Sequence, residues 1–464
     1  MLITLFKQPK AVFLLAFVQL WNRFSHYGMR ALLLLYMVKI LKMPDPLAIG
    51  TFAVYCALVE LGGVFVAYLA DKFLGLRRAV MLGGWLIGIG HLLLALELDF
   101  CTALGFVILG SSLYTTNIAT FLGEFYPQGD PRREQGFTIF YMSINVGAFL
   151  ATLLCGYIAE NFGWHLGFGL AAIGMVIANL TLWSLRSSLQ DKGESPAVPL
   201  RKTVLIFLLM IGLGTSIYAL QRQNIASPFL PWVAGGALIF ILSGLFMKKQ
   251  MGRQVIMSLI ISMGGLILFF TAEEQIGTSL LLFADRMGSS KISAISLLAI
   301  NPLVIILGGT FAHALLCKLR SPSIRLLVPF VLIAGAFGCM AWGTSLFAMG
   351  TFPLLLSGSV IGLISFAELL IGPATYSHCS EVTSTYRDPK VMALMPIGFS
   401  MAASLGGVYS QALAGASTFD PHRYGIGFGI LALGLMILGG LLAYTQRQIS
   451  KSVSTNSKPD IERA

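Results

Sequence analysis

FTIFYMSINVGAFLATLLCGYIAENFGWHLGFGLAAIGM, residues 137–175, carries one apolar run, a short polar knot at Glu160–Asn161, and then a second apolar run. Each run, 137–160 and 165–186, has roughly the 20 residues a helix needs to cross hydrocarbon. Backbone groups at that depth must be satisfied within the segment, so the runs are predicted to be helices and open sheets are excluded. The same pattern recurs along the chain, at 11–39, 47–70, 78–98, 101–125, 202–220, 229–247, 254–284, 292–316, 324–345, 351–377, 390–414 and 421–446. Fourteen spans with short connections are therefore expected.

Composition agrees. Of 464 residues, 56% are apolar and 11% charged, whereas an ordinary soluble domain carries about 25% charged residues. Mean hydropathy is +0.82. Too little polar surface is present to cover a water-soluble globule, which excludes a soluble enzyme, a nucleic-acid-binding module and a disordered scaffold. Lys7 and Lys10 precede the first run, but that run extends to Val38 and contains Arg23 and Arg30, so it reads as a retained span rather than a cleaved signal. The six cysteines show no CxxC pair and no metal-like spacing, and no disulfide framework is expected.

Net charge is +11, from 31 basic and 20 acidic residues. With both termini cytoplasmic, 23 Lys and Arg fall on the inner side and six on the outer: Lys39, Lys42, Arg222, Arg286, Lys291 and Arg423. That bias fixes the orientation and explains the charge without an anionic partner. Residues 187–200, SSLQDKGESPAVPL, read as a polar linker. The spans 202–220 and 229–247 hold few polar groups and end in KKQMGRQ. The organisation follows: a six-helix bundle over 1–186, a linker and inserted transmembrane hairpin over 187–253, a second six-helix bundle over 254–446 and a polar cytoplasmic tail over 447–464. Two pseudo-symmetric bundles around a midplane site are a common transporter plan.

An ionisable group inside a span costs a few kcal/mol or more, so each such group marks a candidate functional position. The first span places Gln19, Asn22, Arg23, His26, Tyr27 and Arg30 along one face by steps of three and four. Glu60 lies mid-span in the second helix, Glu273 and Glu274 in the ninth and Glu368 in the twelfth. A carboxylate that pairs or neutralises with its surroundings suits proton movement, and a fixed interhelical hydrogen bond is the alternative. His91 and His313 read as hydrogen-bonded structural groups. No P-loop, GxSxG, kinase signature or metal cluster is present, so neither enzyme activity, nor a cofactor or metal, nor ATP-driven pumping is expected.

Several segments together resemble the proton-dependent oligopeptide transporter (POT) family of the major facilitator superfamily: QLWNRFSHYGMRALLLLY at 19–36, ADKFLGLRR at 70–78, the opening 137–175 stretch, EEQIGTSLLLFADR at 273–286 and INPL at 300–303. The resemblance implies an all-α membrane protein of the major facilitator fold with two extra helices, in the inner membrane. It implies that Arg23, Tyr27, Asn145, Asn301 and Glu368 line a substrate site, Arg23 facing a carboxylate and Glu368 a peptide amino group. It further implies that Arg30 and Asp285 form an outer gate and that Glu274 titrates during transport. Di- or tripeptides and protons are the implied partners of a monomer in the bilayer.

The departures are specific. Gln19 and Asn22 stand where the family motif has two glutamates, Thr115 where the fourth helix has a lysine, and His26 where a second tyrosine is usual. Glu60 occupies a position where the family tends to place a tyrosine, so it is expected to supply Arg23 with a carboxylate and share the coupling role with Glu274. Three readings stay open: a proton-coupled peptide importer, a divergent carrier with altered or lost coupling for another small zwitterion or anion, and a membrane sensor that no longer transports.

Overall fold

The computed structural model describes residues 8–127, 130–184, 189, 202–247, 251–288, 293–319, 321–347, 351–388, 390–415 and 419–456. Side chains of Phe65, Ala67, Tyr68, Leu69, Asp71, Lys72, Lys202 and residues from 450 onward lie outside the description, as does all of the 187–200 linker except Leu189. The described residues are almost wholly helical. In chain order the helices are α1 (Lys10–Lys39), α2 (Asp45–Leu69), α3 (Leu76–Ala95), α4 (Phe100–Gly123), α5 (Arg133–Phe162), α6 (Trp164–Ser184), α7 (Lys202–Gln221) and α8 (Gln223–Phe246). They continue with α9 (Arg253–Glu273), α10 (Ser279–Met287), α11 (Ala294–Leu297), α12 (Ile300–Lys318), α13 (Pro322–Leu346), α14 (Leu354–Tyr386), α15 (Lys390–Ala414) and α16 (Pro421–Asn456).

Thirteen segments among the described residues are long and apolar enough to cross a membrane. The thirty-residue α1 is not one of them, although its length spans a bilayer, because the polar residues from Gln19 to Arg30 interrupt its apolar character. With α1 the expected fourteen spans are accounted for. Two ends run well past expectation: α14 reaches Tyr386, nine residues beyond 377, and α16 reaches Asn456, ten beyond 446.

Packing divides the chain into two compact units, residues 1–227 with 293–306, and residues 228–292 with 307–464. In the first unit α1 lies against α5 and α6, α3 against α4 and α6, and α2 against α4. Glycine sets the closest of these contacts. A Cβ at Gly83 would lie 2.7 Å from the Gly110 carbonyl oxygen, and one at Gly110 would lie 2.6 Å from the Gly83 oxygen. Two backbones meet directly there, the arrangement that small residues permit in membranes. The core adds Phe121, Phe168 and Tyr114, all fully buried.

In the second unit α13 packs on α14 and α16, and α9 on α14, α15 and α16. Phe283 on α10 centres an aromatic cluster, edge-on to Phe352 at 5.0 Å and to Phe428 at 5.7 Å. The hairpin helices differ in kind from the rest. The most apolar window is 11% buried in α7 and 17% in α8, against 72% in α4. Trp232 and Phe240 are each 78% exposed, as befits helices whose outer faces meet lipid.

Two interruptions matter for the site. A five-residue π-helical turn, Ala70–Leu74, ends at Gly75, whose φ of 78° is cheap for glycine and re-aims the chain into α3. The second interruption is in the stretch 254–284, expected as one span. It breaks after Glu273 and resumes at Ser279.

Candidate functional site

The polar face of α1 divides on folding. Gln19 and Asn22 are 1% and 2% exposed, while Arg23, His26, Tyr27 and Arg30 are half-buried. Asn22 donates to the Met175 thioether of α6 at 3.5 Å. Ser25 shares a 2.8 Å hydrogen bond with His91 Nδ1 of α3, which bears out the structural reading of that imidazole.

Arg23 sits in a different environment. Its Nε is buried with no hydrogen-bond partner, and so are Gln19 Oε1 one turn before it, Tyr55 Oη on α2 and Tyr114 Oη on α4. A buried donor without a partner costs about 1–3 kcal/mol, so Arg23 Nε and the two phenols are set to receive acceptor atoms from a bound group or water. The Arg30 guanidinium carbon lies 5.7 Å from the Phe52 ring centroid, and the His26 ring stands edge-on to Tyr27 at 5.2 Å.

The remaining first-unit candidates are placed separately. Asn145 on α5 turns its amide onto its own helix, donating to the Tyr141 carbonyl at 3.1 Å. Asn301, half-buried, begins α12 just before Pro302. Ser293, the N-cap of α11, hydrogen-bonds Glu160 at the end of α5, so that the 293–306 segment is tied to this unit.

In the second unit Glu274 caps the end of α9, its amide donating to the Phe270 carbonyl. Gln275 follows, fully buried. Asp285 lies on α10, and beside it Arg286 stands over the Phe419 ring at 5.1 Å. Glu368 lies half-buried on α14, five residues before Pro373. Among the described residues no cluster of His, Cys, Asp or Glu could hold a metal ion.

Outside the spans, two carboxylates are held low by local bonds. The Thr102 hydroxyl and amide at the start of α4 hold Asp99 below the usual carboxylate range. Arg132 does the same for Asp130, from Nε at 3.1 Å and Nη2 at 2.7 Å. Nearby, Tyr126 donates to Gln8 Oε1 at 2.8 Å, and Gln8 donates to the Arg132 carbonyl at 3.2 Å, tying the start of α1 to the α4–α5 connection.

Tyr55, Tyr114 and Gln275 are buried polar groups that the sequence does not single out. Tyrosine in an apolar span reads as packing, and the only available signal was that Tyr55 lies five residues before Glu60 and Tyr114 directly before Thr115.

The family described as the POT family matches residues 77–352. Dipeptide and tripeptide permease A of Edwardsiella piscicida is 27% identical over 96% of each chain. The permease of that name from Yersinia pestis is 31% identical over 73% of this chain and 71% of its own length. Among solved structures, a peptide transporter POT in complex with sulfate superposes with a TM-score of 0.84 at 25% identity, covering 96% of both chains. A POT family transporter in complex with 5-aminolevulinic acid gives 0.86 at 22% identity, which speaks for the fold.

Proposed function

The chain belongs to the POT family, a family of multi-pass membrane transporters and not of enzymes, and from that premise we propose that it takes up di- and tripeptides with protons. The relatives named dipeptide and tripeptide permease support the substrate class. The observation that carries the reading is the set of buried, unpartnered donors at Arg23, Tyr55 and Tyr114, which a peptide carboxylate would satisfy.

A dipeptide zwitterion needs a cation at one end and an anion at the other, since neither charge can be left bare away from water. Arg23 receives the carboxylate and Glu368 the amino group. Tyr27, Asn145 and Asn301 line the path between them. Glu274 and Glu60 exchange the proton, with Glu60 holding Arg23 in the absence of substrate. Arg30 and Asp285 act as the outer gate while the carrier alternates its access. The protein works as a monomer in the inner membrane with both termini in the cytoplasm.

A second reading has one specific support. Gln19 and Asn22 are neutral and buried at positions where the family motif is acidic, which favours a carrier with weakened or altered proton coupling. Uptake of labelled dialanine into proteoliposomes separates the two. Accumulation above equilibrium only under an inward proton gradient supports symport. Equilibration irrespective of the gradient supports an uncoupled carrier, and no movement of dialanine overturns the peptide reading.

A further inference from the structure

Resting on the reading of Glu274 as a titrating group, we propose that Gln275 is its positioning residue, clamping the break between α9 and α10 to α15 through Gly406 and Ser410. The case begins with the bonding capacity of a primary amide, which has two donor hydrogens and an oxygen that accepts twice. Gln275 uses all four. Its Nε2 donates to the Thr271 carbonyl at 3.0 Å and to the Gly406 carbonyl at 3.2 Å. Its Oε1 accepts from Ser279 Oγ at 2.6 Å and Ser410 Oγ at 2.7 Å.

One side chain therefore bonds the last turn of α9, the first residue of α10 and the neighbouring α15. Thr278 ties the same break to the end of α9, donating to the Glu274 carbonyl at 2.8 Å, with its hydroxyl oxygen 2.8 Å from Ser410 Oγ. Gln275, Ser279 and Ser410 are fully buried. In such surroundings a broken set of bonds leaves unpaired groups, so the arrangement is held firmly.

The partners also fix which side chain can serve. Two carbonyls face the NH2 and two hydroxyls face the oxygen, so a carboxylate would set oxygen against oxygen at both carbonyls. Glu274 is the group this geometry places. A Cβ at Gly406 would lie 2.9 Å from Glu274 Cβ and 3.0 Å from the Thr271 oxygen, so the stem of the glutamate rests directly on the α15 backbone. A one-residue offset between the carboxyl and a saturated amide lets the amide hold the backbone that carries Glu274.

The test reads Glu274 itself. Purified full-length protein is labelled with dicyclohexylcarbodiimide across a range of pH, and modification at Glu274 is followed by mass spectrometry. Ser410→Ala removes one of the four bonds to Gln275, together with the hydroxyl beside Thr278, and Gln275→Met removes all four at similar length. Both are expected to shift the labelling midpoint by about half a pH unit or more, with the larger shift in Gln275→Met. If Gln275→Met does not fold, Ser410→Ala carries the test alone. Midpoints equal to wild type in the folded variants overturn the clamp. A wild-type protein whose Glu274 labelling does not depend on pH would instead show that Glu274 does not titrate, and the clamp would fall with that reading.

Discussion

Asn22 on α1 donates its amide to the thioether of Met175 on α6, 3.5 Å away, with the asparagine only 2% exposed. A position that is acidic in the family motif is thus occupied here by a neutral group against a weak acceptor in a helix interface. Gln19, the other neutral substitution, is buried one turn earlier. The first helix offers Arg23 no carboxylate of its own, and Glu60 is a mid-span acid on α2 of the same unit.

Glu60→Gln should therefore reduce dialanine uptake at least tenfold while leaving the protein in the membrane at wild-type level. Retaining the shape but not the charge leaves Arg23 an uncompensated buried cation, a costly state. Uptake and pH dependence equal to wild type would remove Glu60 from the site.

Asn22→Leu should be tolerated, changing stability by less than about 1.5 kcal/mol, because a thioether bond is weak and leucine has similar volume. Asn22→Asp should cost several kcal/mol by burying an unpaired carboxylate beside sulfur. Thermal melting of the purified protein in detergent compares the two, and equal melting points would show that Asn22 faces water.

Gly83→Ala should destabilise by about 1–3 kcal/mol, since the added methyl meets the Gly110 carbonyl and overpacks a backbone contact. An unchanged melting temperature would mean that α3 and α4 separate without penalty. Gly244, with open space around it, is the control: Gly244→Ala should not lower the melting temperature.

Asp99 accepts from the Thr102 amide at 2.7 Å and caps α4. Its pKa is lowered in the folded protein, so its contribution is present above the unfolded value of about 3.9 and is lost as pH falls through the folded one. Asp99→Ala should cost about 1 kcal/mol near neutrality, the usual worth of such a cap. Melting curves of the two proteins should draw together progressively as pH falls from about 4 through the lower folded value. A gap that persists there would assign the loss to packing.

The spans were legible because hydropathy reports burial in lipid directly. The break at Glu274–Thr278 was hidden because apolar residues continue on both sides of it. The bonds from Gln275 to Ser410 and Gly406, at sequence separations of 135 and 131, join the break to α15, and such long-range partners are not visible in a local window. The roles of Tyr55 and Tyr114 were hidden for the opposite reason. A tyrosine is apolar enough to pass as packing, and only the missing partner on its hydroxyl marks it. His91 is hydrogen-bonded through Nδ1 to Ser25, as a lone imidazole in an apolar helix suggests, while its Nε2 is buried without a partner.

Proton flux tests the central claim most directly. Proteoliposomes loaded with a pH-sensitive dye and held at an inside-negative potential, with no initial pH difference, receive external dialanine. Coupled transport predicts prompt internal acidification that saturates with dialanine and is lost in Glu274→Gln. Entry of labelled dialanine with no change in internal pH would contradict it.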